Sequence, residues 1–97
     1  MIIGFHNTGT ADVFNGLDTK ASRATCPENI LRVARRKLDQ INQAVALRDL
    51  FAPPENRLEP LIGNRLGQHS IRINQQFRIC FTWTQNGAMD VEITDYH

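Results

Sequence analysis

The sequence predicts an α+β fold, with N-terminal helices packed on one face of a small, curved antiparallel sheet. Three features carry that expectation. Apolar residues recur at helical spacing over residues 30–45, they alternate with polar ones from Ile71 onward, and the proline-containing stretch 52–56 separates the two patterns. One layer of helix on one sheet is also about what 97 residues can bury, so residues 1–97 are expected to form a single domain.

Taken in order, Ile2, Ile3 and Phe5 predict a short first strand, broken by the turn-prone His6, Asn7, Thr8 and Gly9. Thr10 is placed to cap a brief helix through Leu17, with Val13, Phe14 and Leu17 as its apolar face and Gly16 keeping it short. Pro27 and Glu28 start the main helix, because proline gives up no needed donor in a first turn and an acid there meets the positive end of the helix dipole. Ile30, Leu31, Ala34, Leu38, Ile41 and Val45 form its buried stripe, while Arg32, Arg35, Arg36 and Asp39 fall largely on other faces. Leu47 and Leu50 add a turn before Pro53 and Pro54 stop the helix. Residues 57–62 read as a strand in which Pro60 favours an edge, and Gly63, Asn64 and Gly67 form a flexible turn around Arg65.

Beyond that turn the period changes to two. Ile71 and Ile73 alternate with Arg72 and Asn74, and Phe77, Ile79, Phe81 and Trp83 alternate with Arg78, Cys80, Thr82 and Thr84. Asn86-Gly87 is a strong hairpin signal, and Met89, Val91 and Ile93 continue the core face on the returning strand. The sheet thus has an apolar face for the main helix and a polar face that displays Arg72 and Arg78.

Composition narrows the class. Hydrophobic residues at 41% and charged residues at 22% are ordinary for a globular domain and argue against disorder. No apolar run approaches the roughly 20 residues of a membrane-spanning helix. The opening MIIGFHNTG lacks the basic region and long apolar run of a secretory signal, so the expected location is the cytoplasm. Cys26 and Cys80 read as reduced thiols used as small apolar side chains. No CxxC, HxxxH or GxxxxGK spacing is present, so neither a metal nor a cofactor is expected.

The net charge of +1 conceals an uneven distribution. Residues 20–37 carry Lys20, Arg23, Arg32, Arg35, Arg36 and Lys37 against Glu28 alone, and residues 57–78 carry Arg57, Arg65, Arg72 and Arg78 against Glu59 alone. After Arg78 the only charged side chains other than histidine are Asp90, Glu92 and Asp95. Basic zones of this kind either attract phosphates or form solvated faces.

The open sheet face supports metal-free RNA chemistry. An arginine fork fits phosphate oxygens, so Arg78 and Arg72 either grip a phosphate backbone or make structural salt bridges. Cleavage needs a base for the ribose 2′-hydroxyl, cations for the negative charge that builds on phosphorus, and an acid for the departing 5′-oxygen. His97 titrates in the right range to be acid or base, Tyr96 can donate a proton or stack on a base, and Asp95 can orient His97 or act as base. A frayed tail is the alternative. His69 and Trp83 read as structural, and His6 as a solvated turn residue. Strict alternation sends Asp95 and His97 to the side of Val91 and Ile93 and Tyr96 to the other. The three therefore share a cleft only if the strand twists, ends near Thr94 or presents them at a rim.

The run GQHSIRINQQFRICFTW, the hairpin that follows and the closing VEITDYH resemble the HigB-type toxins, the host-inhibition-of-growth branch of the RelE/ParE superfamily of bacterial toxin–antitoxin systems. The likeness extends back through RLEPLIGNRLG and, more loosely, ARRKLDQINQA. It implies a RelE-like fold and a toxin that enters the ribosomal A site and cuts messenger RNA without metal, restrained by a helix-turn-helix antitoxin. Carried onto this chain, the resemblance makes Asp95, Tyr96, His97 and Arg78 catalytic. It sets Arg72, Arg65 and the basic helix residues Arg32, Arg35, Arg36 and Lys37 against RNA or the ribosome. Some members carry a histidine in a Leu-His-Pro-Leu setting, whereas this chain reads Leu58-Glu59-Pro60-Leu61. Glu59 is then the candidate replacement base, and weak or conditional activity is expected. A non-catalytic toxin of the gyrase-poisoning branch is the alternative.

Overall fold

The computed structural model describes residues 1–95. Three helices, α1 (Thr8–Phe14), α2 (Lys20–Thr25) and α3 (Leu31–Gln43), precede four strands, β1 (Glu59–Pro60), β2 (His69–Arg72), β3 (Phe77–Thr84) and β4 (Gly87–Asp95). The strands form one antiparallel sheet in the order β1-β2-β3-β4. Residues Ile2 and Phe5 bridge in parallel to Ala88 and Val91, so the N-terminal segment covers the outer edge of β4.

The core lies between the helices and one sheet face. Ala34, Leu38 and Ile41 of α3 meet Ile71, Ile79, Phe81, Val91 and Ile93, all buried as their periodicities predict. Each large side chain so placed contributes about 1.5–3 kcal/mol. The stripe stops short of Val45, which is 91% exposed, because α3 ends at Gln43 and Ala44 turns extended. Pro27 and Glu28 do open the helical region, through a 3-10 turn at Glu28–Ile30 that leads into α3. Leu47–Phe51 form another 3-10 turn.

Several local expectations change. Asn7, not Thr10, caps α1, its side-chain oxygen accepting from the Thr10 amide at 2.8 Å. The buried Thr10 hydroxyl instead accepts from the Ile93 amide at 3.1 Å, tying α1 to β4. The second helix, α2, was not evident from apolar spacing. A reciprocal capping box between Thr19 and Ser22 starts it, and Gly9 lets it approach α1, since a Cβ there would sit 1.8 Å from Thr25 Oγ1. The first strand reduces to two bridges, and the strand expected over residues 57–62 to the edge pair Glu59–Pro60.

The hairpin turn is Gln85-Asn86, with Gly87 already paired to Thr84. Gly87 has φ +135° and its Cα lies so near the Met1 carbonyl that a Cβ would come within 2.2 Å of that oxygen. Further along, Cys80 and Thr82 pair with Glu92 and Met89, so two steps on β3 match three on β4. Asp90 takes φ 55° in that bulge, and the displaced phase turns Met89, expected in the core, out to 45% exposure. Both cysteines are free and buried, and burial pushes both thiols above the usual cysteine range.

Candidate functional site

Strand register arranges the open sheet face in two rows. Glu59, Ser70, Cys80 and Glu92 lie opposite one another across all four strands, and beside them run Arg72, Arg78 and Thr94. Arg72 and Arg78 are direct cross-strand partners. Their side chains take different partners, Arg72 the Asn74 carbonyl and Arg78 the Ser70 hydroxyl.

Arg78 is the best anchored of the charged groups, with a side chain only 13% exposed. Its Nε donates to Ser70 Oγ at 2.7 Å and its Nη2 to the Arg57 carbonyl at 2.8 Å, while Glu59 Oε1 lies 3.4 Å from Nη2. Ser70 is fully buried, two residues before Arg72 and thus on the same face. Arg57 presents its carbonyl from a left-handed conformation, φ 46°, that closes the 3-10 turn Pro54–Asn56. The structural option for Arg78 is met, since the guanidinium is in a salt bridge, and its position is also fixed by neighbours other than the acid. Glu59, expected as a base, is engaged by Arg78.

A second pair flanks the first. Arg65 Nη1 donates to Glu92 Oε1 at 3.1 Å and to Gln68 Oε1 at 3.0 Å. Cys80 lies beneath both pairs, and the charges of Arg65, Glu92, Arg78 and Glu59 all act on its thiol after burial, which dominates. Arg72 Nε donates to the Asn74 carbonyl at 3.0 Å.

Strand β4 keeps its register through Asp95, opposite Phe77. Asp95 Oδ2 accepts from Gln76 Nε2 at 2.9 Å at the end of the sheet next to the β2–β3 turn. Alternation places it on the other side of the strand from Thr94. Tyr96 and His97 lie outside the described residues.

Of the basic helix, Arg32, Arg35 and Arg36 are exposed on α3. Lys37 is not: it is 3% exposed and its ammonium donates to Asn56 Oδ1 inside the protein. Burial lowers its pKa, and the neighbouring Arg36 lowers it further while Glu55 opposes the shift. Lys37 stands three residues after Ala34 and four before Ile41, on the buried stripe, and the enclosed Asn56 amide satisfies it. It is therefore withdrawn from the RNA-contacting set.

His69 is structural as expected, stacked on Phe81 with ring centroids 6.5 Å apart, and Trp83 meets Phe81 edge-on at 6.5 Å. His6 is solvated but lies 3.9 Å from Asp90 and 3.8 Å from Glu92. Among the described residues no group of three or more His, Cys, Asp or Glu side chains is placed to hold a metal. Sequence reasoning missed Ser70, Glu92 and the Arg57 carbonyl. Alternation alone locates Ser70 on the face of Arg78, whereas the Arg57 conformation leaves no periodic signal.

The sequence and the fold are similar to those of known proteins. The profile of a family described as the RelE-like toxin of type II toxin-antitoxin system HigB matches residues 5–97. Toxin HigB-1 of Vibrio cholerae is 42% identical over 64 residues, 66% of this chain and 67% of that protein. An uncharacterized protein of Haemophilus influenzae is 38% identical over 60 residues, 62% of this chain but only 59% of its own length. Among solved structures, the YoeB-YefM complex from Staphylococcus aureus contains a chain of the same fold, with TM-score 0.57 and 15% identity over 100% of this chain and 98% of that one. With the profile matching residues 5–97, the chain belongs to the RelE-like HigB toxins of type II toxin–antitoxin systems.

Proposed function

We propose that residues 1–97 act as one toxin domain, a ribosome-dependent, metal-free messenger-RNA endonuclease. The observation that carries this reading is the anchored Arg78 guanidinium on an open sheet face, at a strand position paired with that of Arg72. A phosphodiester offers acceptor oxygens that fit an arginine fork. In the reaction, a base takes the proton of the ribose 2′-hydroxyl, whose oxygen attacks the adjacent phosphorus. The bond from phosphorus to the 5′-oxygen breaks, and an acid protonates that oxygen, leaving a cyclic phosphate. Arg78 stabilises the charge on the phosphoryl oxygens. His97 is assigned to proton transfer, Tyr96 to proton donation or base stacking and Asp95 to orienting His97.

Arg65 and Arg72, with the exposed Arg32, Arg35 and Arg36, serve as contacts to RNA or the ribosome. Membership in a toxin–antitoxin family, together with a fold neighbour solved as a two-protein complex, supports a cognate antitoxin as partner, here taken as a helix-turn-helix protein in the same cytoplasm.

The decisive variant is His97→Ala, with removal of residues 95–97 as its companion. Loss of a general acid or base costs about 10²–10⁴ in rate, enough to abolish growth inhibition and message cutting in a protein that still unfolds cooperatively. Undiminished toxicity in a folded variant would sink the mechanism. DNA breaks with intact messages in expressing cells would support the gyrase-poisoning alternative.

A further inference from the structure

A cleft of about 580 Å³ opens between α3 and the β2–β3 turn, on the side of the sheet end where Asp95 meets Gln76. Three arginines from three separate elements line it: Arg36 from α3, Arg57 from the turn before β1 and Arg72 from β2. Glu55 is the one acid in the lining. Among the described residues neither the Arg36 nor the Arg57 guanidinium has a hydrogen-bond or ion-pair partner, and Arg72 uses only Nε, on Asn74.

The cleft therefore differs in charge from the rest of the open face. Arg78 and Arg65 have carboxylates in contact, whereas these three arginines line a shared space with Glu55 as its one acid among the described residues. Lys37 forms part of the wall, but Asn56 holds its ammonium and it adds positive potential without reaching inward. Arg57 links the cleft to the site described above, since its carbonyl fixes Arg78. Arg72 links them again as the cross-strand partner of Arg78.

We infer that this cleft is a second phosphate subsite, taking a phosphodiester of single-stranded RNA that neighbours the one held at Arg78. The inference rests on the RNA-cleaving reading for the identity of the strand. Arginines from three elements around one cleft suit a tetrahedral phosphate with several acceptor oxygens, and the links of Arg57 and Arg72 to Arg78 suit a backbone carrying one charge per nucleotide. An acidic polypeptide offers planar carboxylates and is the outcome to exclude.

The test uses the full chain and a short single-stranded oligodeoxynucleotide, which lacks the attacking 2′-hydroxyl and so separates binding from cleavage. Arg36 is exposed on a helix and tolerates alanine, and Arg57→Asn keeps a residue that accepts positive φ. In the double variant, affinity is expected to fall and the slope of log affinity against log salt to drop by about 0.7 for each phosphate contact removed. The arginine Nε resonances of the wild type at these positions shift on titration. An unchanged salt slope and affinity in a folded double variant overturns the subsite. Equal displacement of the oligonucleotide by a polyglutamate chain assigns the cleft to an acidic protein and overturns it too. Strand binding through the cleft by a protein that cuts no message would refute the endonuclease reading while leaving the subsite standing.

Discussion

Glu59→Gln separates two roles that the sequence left merged in one residue. The carboxylate lies 3.4 Å from Arg78 Nη2 with half its side chain in solvent. An ion pair at about 4 Å is worth roughly 4 kcal/mol at an effective dielectric constant near 20. Water at the exposed Glu59 screens that, and measured pairs of this kind contribute about 0.2–1 kcal/mol. A phosphate that takes Arg78 must displace this acid. Removing the charge is therefore expected to improve binding by up to about fivefold, the equivalent of 1 kcal/mol. Ser70 and the Arg57 carbonyl still hold the guanidinium, so its orientation survives the change. The assay is single-turnover cleavage of message on programmed ribosomes, with toxin concentration varied. The half-saturating concentration should fall and the maximal rate should hold. A maximal rate lower by about 10²-fold or more, with binding unaltered, would make Glu59 the base and refute its role as a displaceable counter-ion.

Two further outcomes concern the enclosed network behind the cleft. Asn56→Ala removes the acceptor of Lys37 and the donor to Gln40 Oε1 and the Leu50 and Ala52 carbonyls, so urea unfolding should show a loss of about 3 kcal/mol. A loss under about 1 kcal/mol would mean that water replaces the amide. Lys37→Met tests the lowered lysine pKa: the folded state binds this proton less well than the unfolded chain, so the charged form is a burden at every pH below the folded value. That burden is relieved as pH rises from the folded value toward 10.5, and the stability of the methionine variant relative to wild type should decline over that window. A difference that stays flat with pH would show that the ammonium is not appreciably destabilised by its surroundings.

Periodicity carried most of the fold. The alternation of Ile71, Ile79, Phe81 and Ile93 and the stripe of Ala34, Leu38 and Ile41 report burial directly, and all are in the core. What escaped depends on interactions that no period encodes. Val45 extends the stripe numerically, but the backbone leaves the helix first. Met89 has the right parity until the bulge at Asp90 shifts it. Lys37 shared the phase of the buried stripe, and its charge argued the other way because its partner Asn56 is 19 positions distant. The helix α2 has few apolar residues and is held by capping and by a close glycine contact. At the site, residue types and strand parity were enough to choose Arg78, whereas its supports, Ser70 and the Arg57 carbonyl, come from register and a left-handed turn.

The bond from the Ile93 amide to the Thr10 hydroxyl spans 83 positions, and the parallel bridges of Ile2 and Phe5 to β4 span slightly more. Closing loops of that size is an entropic cost met before any contact repays it, and it slows folding more than it weakens the folded state. The strand that leads to the proposed catalytic residues is thus clasped by the opposite end of the chain. A partly assembled molecule, with α3 and the β2–β3 hairpin formed but the clasp open, would possess the arginine row and lack a seated β4. Toxicity would then follow cooperative completion of the whole fold, and the interval between synthesis and closure would be a harmless one.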